Sequence, residues 1–221
     1  MSHATRPQTP IAAPDDSDII RGQPRRLRMT EEEFERFTDG EFNRKAEWVD
    51  GEVIVPVATS IKHAQIVRFL LTLMYLFSAR HKLGEVLGET AQVRFAGLKQ
   101  RRTPDIIFVA NDRRHLFRET FFEGAPDLII EIVSPDSVAR DWREKYLDYQ
   151  AAGVREYWVI DPLSEQVEAY ALNVHNQYER IEVQEEKIAS RVLPGFYLKP
   201  TWLWQDELPD PLGVLAEFDA A

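Results

Sequence analysis

Hydrophobic residues recur at helical spacing in three segments of the chain. In the clearest segment, which follows Ser60, the pattern predicts a long amphipathic helix that ends near Gly84. Its apolar positions are Ile66, Phe69, Leu70, Leu73, Leu76 and Phe77. Two further helices are predicted at about 31–37 and 138–152. The first of these begins with Thr30 and Glu33 at the spacing of a capping box.

Short apolar runs elsewhere predict β-strands at 86–87, 92–95, 105–109, 127–133 and 157–160. Asp50-Gly51 is a dipeptide suited to a tight turn, and it joins the runs 47–49 and 53–55 into a predicted N-terminal hairpin. A C-terminal hairpin is predicted from 165–171 and 178–183. The basic segment between Gly97 and Arg102 is predicted to be a turn.

The order of these elements predicts a chain of the α/β (α+β) class, with a mixed β-sheet flanked by helices. We expect one folded domain at 27–200. The proline-containing segment 1–26 has little apolar content and is predicted to be a flexible leader. The segment 201–221 is predicted to be an acidic extension that packs on the domain, with Trp202 and Trp204 as anchors.

The composition narrows the class of protein. The chain has 221 residues, of which 44 % are hydrophobic and 29 % are charged, the usual mix of a soluble folded protein. It contains no cysteine, which excludes disulfides, thiolate metal sites and cysteine nucleophiles. Because neither a secretory signal nor a membrane-spanning run is visible, we expect a cytoplasmic location.

The charge is unevenly distributed. A net charge of −10 argues against a protein that simply coats a polyanion. Between Lys62 and Arg118, however, eleven Lys and Arg residues stand against four acids. This basic segment is either an ordinary solvated surface or a region that meets a phosphate-bearing partner.

Two acidic residues accompany the apolar strand runs. Glu131 lies inside the run 127–133, where an unpaired buried carboxylate is costly, and period-two alternation puts it on one face with Ile129 and Val133. Asp105 opens the preceding strand. Two such carboxylates can converge on a hard divalent cation such as Mg²⁺. The alternatives are an arginine partner for Glu131 and a turn or cap role for Asp105.

Lys145 lies on the predicted helix after Glu131, far enough along the chain to aim its ammonium at the same site. Alternatively, it pairs with Asp141 one helical turn earlier. A carboxylate pair can also serve as the acid and base of a glycosidase, although the lysine makes that class less attractive.

Three segments together resemble the Uma-type family of restriction endonucleases. They are residues 102–109 (RTPDIIFV), 126–135 (PDLIIEIVSP) and 141–162 (DWREKYLDYQAAGVREYWVIDP), and the resemblance extends from about Leu27 to Pro200. This family belongs to the PD-(D/E)XK nuclease superfamily. The resemblance therefore implies a restriction-endonuclease-like fold.

The family's motif can be carried over residue by residue. Asp105 and Glu131 match its two acids, and the resemblance implies that they hold Mg²⁺ or Mn²⁺ with the backbone carbonyl of Ile132 or Val133. Val133 stands where the superfamily has a lysine. Lys145 matches the lysine that this branch carries on the following helix.

Two further positions match the family. Glu47 corresponds to an acid that can add to the metal site or position water, and its alternative is a surface acid of the hairpin. His63 starts the long helix, where the family also favours histidine, although such a residue more often caps or packs.

The resemblance implies a metal-dependent endonuclease that hydrolyses phosphodiester bonds of DNA, with the basic segment on the backbone phosphates. The residues themselves are equally compatible with RNA. A homodimer is a plausible assembly, because two-fold symmetry suits the cutting of both strands. Val133 and the net charge of −10 support a different class, an inactive nuclease-fold module that binds nucleic acid or a protein partner.

Overall fold

The computed structural model describes residues 24–38, 45–56, 59–88, 91–95, 97–134 and 140–220. Most of the predicted leader therefore lies outside the described residues. The strands are β1 (Arg25–Arg28), β2 (Glu47–Val49), β3 (Glu52–Val55), β4 (Gly84–Gly88), β5 (Gln92–Phe95), β6 (Gln100–Arg102), β7 (Ile106–Ala110), β8 (Phe121–Glu123), β9 (Leu128–Ile132), β10 (Glu156–Asp161), β11 (Gln166–Leu172), β12 (Tyr178–Arg180), β13 (Ile188–Ala189) and β14 (Tyr197–Leu198). The α-helices are α1 (Glu31–Thr38), α2 (Ile61–His81), α3 (Lys145–Ala152) and α4 (Pro211–Ala220).

These strands form two six-stranded sheets and one separate pair. The N-terminal sheet has the order β1-β3-β2-β6-β5-β8, the central sheet has the order β12-β11-β10-β9-β7-β4, and β13 pairs with β14. The pairs β5–β8 and β9–β10 are parallel, whereas the other neighbours are antiparallel. The predicted mixed architecture with flanking helices is confirmed, and so are the hairpins β2–β3 and β11–β12.

Local contacts explain how the first elements begin. Before α1, the backbone N–H of Glu33 donates to Thr30 Oγ1 (3.2 Å) and that of Thr30 donates to Glu33 Oε2 (2.8 Å), which is the predicted capping box. In the β2–β3 turn, Asp50 and Gly51 have φ values of 48° and 86°, the left-handed conformations that this dipeptide adopts readily.

The end of α2 differs from the prediction. The helix ends at His81, and Lys82 takes the left-handed cap conformation while its N–H donates to the carbonyl of Ala79 (3.3 Å). Gly84 instead opens β4, where a Cβ atom would lie 2.1 Å from the carbonyl oxygen of Val109 on β7. A glycine is required here by the close approach of two strands.

The predicted turn between Gly97 and Arg102 is wrong in its second half. Gln100–Arg102 is the strand β6, which lies between β2 and β5 in the N-terminal sheet. Arg101 and Arg102 are buried there, with exposures of 2 % and 1 %. A basic tripeptide can form a buried strand at this place because acidic side chains of neighbouring elements pair with both guanidinium groups.

Helices cover both faces of the central sheet. On one face, α2 packs against Ile106, Ile130 and Trp158, and α4 lies on α2. The other face includes Ile107 and Ile129, and it is covered by α3 and by β5 and β8 of the N-terminal sheet. Glu131 projects on this second face, since it alternates with Ile130 and Ile132 along β9.

The C-terminal segment lies against the domain. Trp202 is buried, and Trp204 is partly buried against the core around α2. Phe218 of α4 packs edge-on against Phe77 of α2, with ring centroids 5.2 Å apart. Among the helices of the described residues, none is long and apolar enough to cross a membrane.

Candidate active site

The register of the central sheet brings Asp105 and Glu131 together. β7 and β9 are antiparallel, with Ile106 opposite Ile130. If this register is continued by one residue, Asp105, which directly precedes β7, comes opposite Glu131 of β9. The two residues therefore lie side by side at one end of the central sheet.

Asp105 is held by contacts from two elements. Its Oδ2 accepts a hydrogen bond from the backbone N–H of Ile132 at 2.7 Å. Its Oδ1 lies 3.4 Å from Nε2 of His63, which is buried in the first turn of α2. Ser60 caps this turn by accepting from the N–H of His63. The Asp105 side chain keeps 15 % exposure, so solvent reaches this carboxylate.

Helix α3 supplies two donors to Glu131. Lys145 and Tyr149 are four positions apart and therefore lie on one face of the helix, and both are buried. Lys145 Nζ lies 2.9 Å from Oε1 of Glu131, and the hydroxyl of Tyr149 donates to the same oxygen at 2.6 Å. The buried carboxylate thus has the cationic partner that its burial requires.

Glu47 joins this group from β2. It is 6 % exposed, so it is not a surface acid of the hairpin. Its Oε1 lies 3.4 Å from Lys145 Nζ, and its Oε2 accepts a hydrogen bond from Nη1 of Arg102 at 2.9 Å. The Lys145 ammonium is therefore placed between two buried carboxylates, Glu47 and Glu131.

Burial and charge set the protonation of two further groups. Arg102 also pairs through Nη2 with Asp148 of α3. Burial lowers the pKa of Arg102, but Glu47, Tyr149 and Asp148 outweigh it and raise that pKa above its ordinary value, so the guanidinium stays charged. Burial and the charge of Glu131 raise the pKa of Tyr149 well above its ordinary value, so its phenol stays a donor.

The donor atoms of the site fit a hard divalent cation. Asp105 and Glu131 supply carboxylate oxygens, the ligands that Mg²⁺ and Mn²⁺ prefer. The N–H and C=O of a strand residue face the same neighbouring strand, so the N–H of Ile132 that binds Asp105 places its carbonyl at this edge too. Within the described ranges, no three His, Asp or Glu side chains are grouped to hold a metal ion. Backbone and water oxygens would complete the coordination.

Much of the basic segment is engaged within the molecule. The expectation that this segment contacts phosphates is wrong for Arg101 and Arg102, because both are buried against acids. Other arginines of the segment also pair with acids: Arg94 with Glu31, Arg113 with Asp127, Arg114 with Glu85, and Arg118 with Glu123. A nucleic acid would have to compete with these partners or use other residues.

Sequence reasoning misses Tyr149 and Arg102 as members of the site. The four-residue spacing of Lys145 and Tyr149 is a usable signal, because it places both on one helical face. Arg102 offers no such signal, since its partners Glu47 and Asp148 lie 55 and 46 positions away in the sequence.

Comparisons with known proteins identify a matching family and a solved structure with a similar fold. A family model, Uma2, described as "Putative restriction endonuclease", matches residues 31–201. The chain also resembles a solved structure titled as "a putative nuclease belonging to DUF820 from Anabaena variabilis ATCC 29413". The two share 20 % identity and a TM-score of 0.65, over 80 % of this chain and 97 % of that chain, a likeness that shows the fold. No curated protein matches the chain.

Proposed function

Because the chain belongs to the Uma2 family, described as "Putative restriction endonuclease", we propose that it is a metal-dependent endonuclease that hydrolyses phosphodiester bonds of DNA. The nuclease-like fold supports a nuclease in general. The observation that carries the proposal is the convergence of Asp105, Glu131 and Lys145 at one end of the central sheet. Carboxylates of this kind bind a hard cation, and a buried ammonium stabilises charge on a phosphate.

The role of each residue follows from its contacts. Asp105, Glu131 and the carbonyl of Ile132 would hold Mg²⁺ or Mn²⁺, and such an ion, when bound, lowers the pKa of water and polarises a phosphate. Lys145 orients the attacking water and offsets the negative charge that develops on the phosphate oxygens. Glu47 helps to keep the ammonium of Lys145 in place, since its Oε1 lies 3.4 Å from Nζ while Glu131 lies 2.9 Å from the same atom.

The burial of Lys145 favours turnover over a module that only binds. Val133, at the usual lysine position of the superfamily, is the sequence basis for an inactive module, but Lys145 reaches Glu131 from the next element. Burying an ammonium and two carboxylates has a desolvation cost, and an apolar replacement is often as stable or more stable. The ammonium that the proposed reaction requires therefore lies beside Glu131 although Val133 replaces the usual lysine.

The decisive experiment is incubation of the purified protein with supercoiled plasmid in Mg²⁺, in Mn²⁺ and in EDTA, with single-stranded RNA as a second substrate. We expect metal-dependent nicking or linearisation that is lost in Asp105→Asn, Glu131→Gln and Lys145→Met. Glu156→Gln is the matched control, because Glu156 is a buried glutamate of the neighbouring strand β10 whose hydrogen bonds come from Trp158, Ser190, Arg191 and Val192. This control should keep cleavage.

Other results would redirect the proposal. Cleavage in the site variants at the parental rate would place the chemistry elsewhere. Salt-sensitive DNA binding that survives EDTA, without product in any metal, would instead identify the binding module. Cleavage of RNA but not DNA would correct the substrate. The homodimer and the cytoplasmic location stay predictions from the sequence.

A further inference from the structure

The site contains a buried hydroxyl group that the mechanism above does not use. Tyr149 is fully buried, and its ring packs against Phe95 and Tyr157 with centroids 5.6 Å and 5.1 Å apart. Its hydroxyl donates to Oε1 of Glu131 at 2.6 Å. Because the side chain is fully buried and packs against two aromatic rings, the hydroxyl cannot leave this carboxylate without disturbing the core.

We propose that Tyr149 is a positioning residue whose hydroxyl fixes the orientation of the Glu131 carboxylate in the candidate metal site. The proposal rests on the proposed function, since that function makes Glu131 a metal ligand. A carboxylate can rotate about the bond to its carbon chain. Two donors on α3, Tyr149 and Lys145, bind the same oxygen of Glu131 and so stop this rotation.

Two donors on one oxygen serve different purposes. The Lys145 ammonium is also attracted by Glu47, 3.4 Å away, and in the proposed reaction it must respond to the substrate phosphate. The neutral phenol of Tyr149 takes no part in binding the phosphate. It therefore keeps Glu131 oriented while the lysine acts. Groups that hydrogen-bond to metal ligands typically change metal affinity or activity by about 10- to 100-fold when they are removed.

The chain offers a matched control in Tyr178. This tyrosine is also buried, at 8 % exposure, and its hydroxyl donates to the carbonyl of Val154 at 2.9 Å, outside the site. Tyr149→Phe and Tyr178→Phe each delete one hydroxyl from a buried hydrogen bond. Both variants should lower the melting temperature, and Tyr149→Phe more so because its lost partner is a carboxylate. Metal binding is therefore compared well below both melting temperatures, where a difference reports on position rather than on stability.

The test is calorimetric titration of Mn²⁺ into parent and variants without DNA, followed by steady-state plasmid cleavage. Tyr149→Phe should weaken Mn²⁺ binding and lower kcat by about 10- to 100-fold, with KM for DNA unchanged, whereas Tyr178→Phe should change neither. In a Glu131→Gln background, Tyr149→Phe should cause no further loss of Mn²⁺ affinity, because it acts through Glu131.

The outcomes separate the two proposals. Equal Mn²⁺ affinities and equal kcat values in the two phenylalanine variants would overturn the role of Tyr149. A further loss of affinity in the Glu131→Gln background would also overturn it, since the effect would then bypass Glu131. A parent protein that binds Mn²⁺ without cleaving would refute the nuclease, and the affinities alone would then decide on Tyr149. A parent that binds no Mn²⁺ would overturn both.

Discussion

Replacing Lys145 with methionine tests the central contact of the site. Methionine keeps the length and apolar stem of the side chain but removes the ammonium. In the parent, the side chains of Lys145, Glu131 and Glu47 are 6 %, 4 % and 7 % exposed. The variant therefore leaves two buried carboxylates without the cation that lies between them.

The size of the effect follows from what each carboxylate keeps. Breaking a buried ion pair by removing one partner costs about 3–5 kcal/mol, because the remaining charge stays desolvated. Glu47 still pairs with Arg102 at 2.9 Å, and Glu131 still accepts the hydrogen bond of Tyr149. We therefore expect the lower end of the range, a loss of about 3 kcal/mol in the free energy of unfolding.

Urea unfolding followed by tryptophan fluorescence measures this loss. Lys199→Met is the matched control, since Lys199 pairs at 3.0 Å with Glu217, whose side chain is 50 % exposed. That variant should lose less than about 1 kcal/mol and keep cleavage, whereas Lys145→Met should lose cleavage. Adding Glu131→Gln to Lys145→Met should recover part of the lost free energy of unfolding, because it neutralises one of the two buried carboxylates that lost the ammonium.

A Lys145→Met protein that is no less stable than Lys199→Met would refute the predicted loss, because Lys145 would then not be buried between carboxylates in solution. A double variant that is less stable than Lys145→Met alone would contradict the predicted recovery. A stable Lys145→Met protein without cleavage would keep the chemical role of the lysine and refute its energetic role.

Three further predictions concern the proposed metal ligand Asp105, the buried Glu156 and a pair of glycines. Asp105→Asn keeps an acceptor for the N–H of Ile132, so melting temperature should change little while plasmid cleavage is lost; parental cleavage would remove Asp105 from the site. Burial raises the pKa of the Glu156 carboxyl despite hydrogen bonds from four residues. The folded protein therefore holds this proton more tightly than the unfolded chain does, so the free energy of unfolding in urea should fall as the pH rises from the unfolded-state pKa to the raised folded-state pKa. In Glu156→Gln this pH-dependent decline should vanish, and an unchanged pH profile would contradict the prediction. The free energy of unfolding should also drop by about 1–3 kcal/mol, because the amide N–H of glutamine must face a hydrogen-bond donor. Gly84→Ala should lower the free energy of unfolding by about 3 kcal/mol, because the new Cβ would lie 2.1 Å from a carbonyl oxygen. Gly213→Ala, whose Cβ would meet no atom nearer than 3.8 Å, should stabilise α4 by about 0.5–1 kcal/mol. Equal melting temperatures of the two variants would refute this difference.

Local patterns determined several features of this protein directly. The capping box at Thr30 and Glu33 and the turn at Asp50-Gly51 depend on atoms a few residues apart, so the sequence carries the whole cause. The same holds for the face on which Glu131 projects. Strand alternation alone assigns it to the side of Ile129 and Val133, and both lie in the core region that α3 covers.

Contacts between distant segments decided the rest. The antiparallel register of β7 and β9 sets Asp105 opposite Glu131. The sequence does not specify this register, because both strands are apolar on both faces and no tight turn joins them. Gly84 is needed because another strand passes close to it. Glu47 and Arg102 are buried because they pair across 55 positions of sequence. A charged side chain is expected at the surface until a partner offsets its desolvation, and only the folded chain brings that partner.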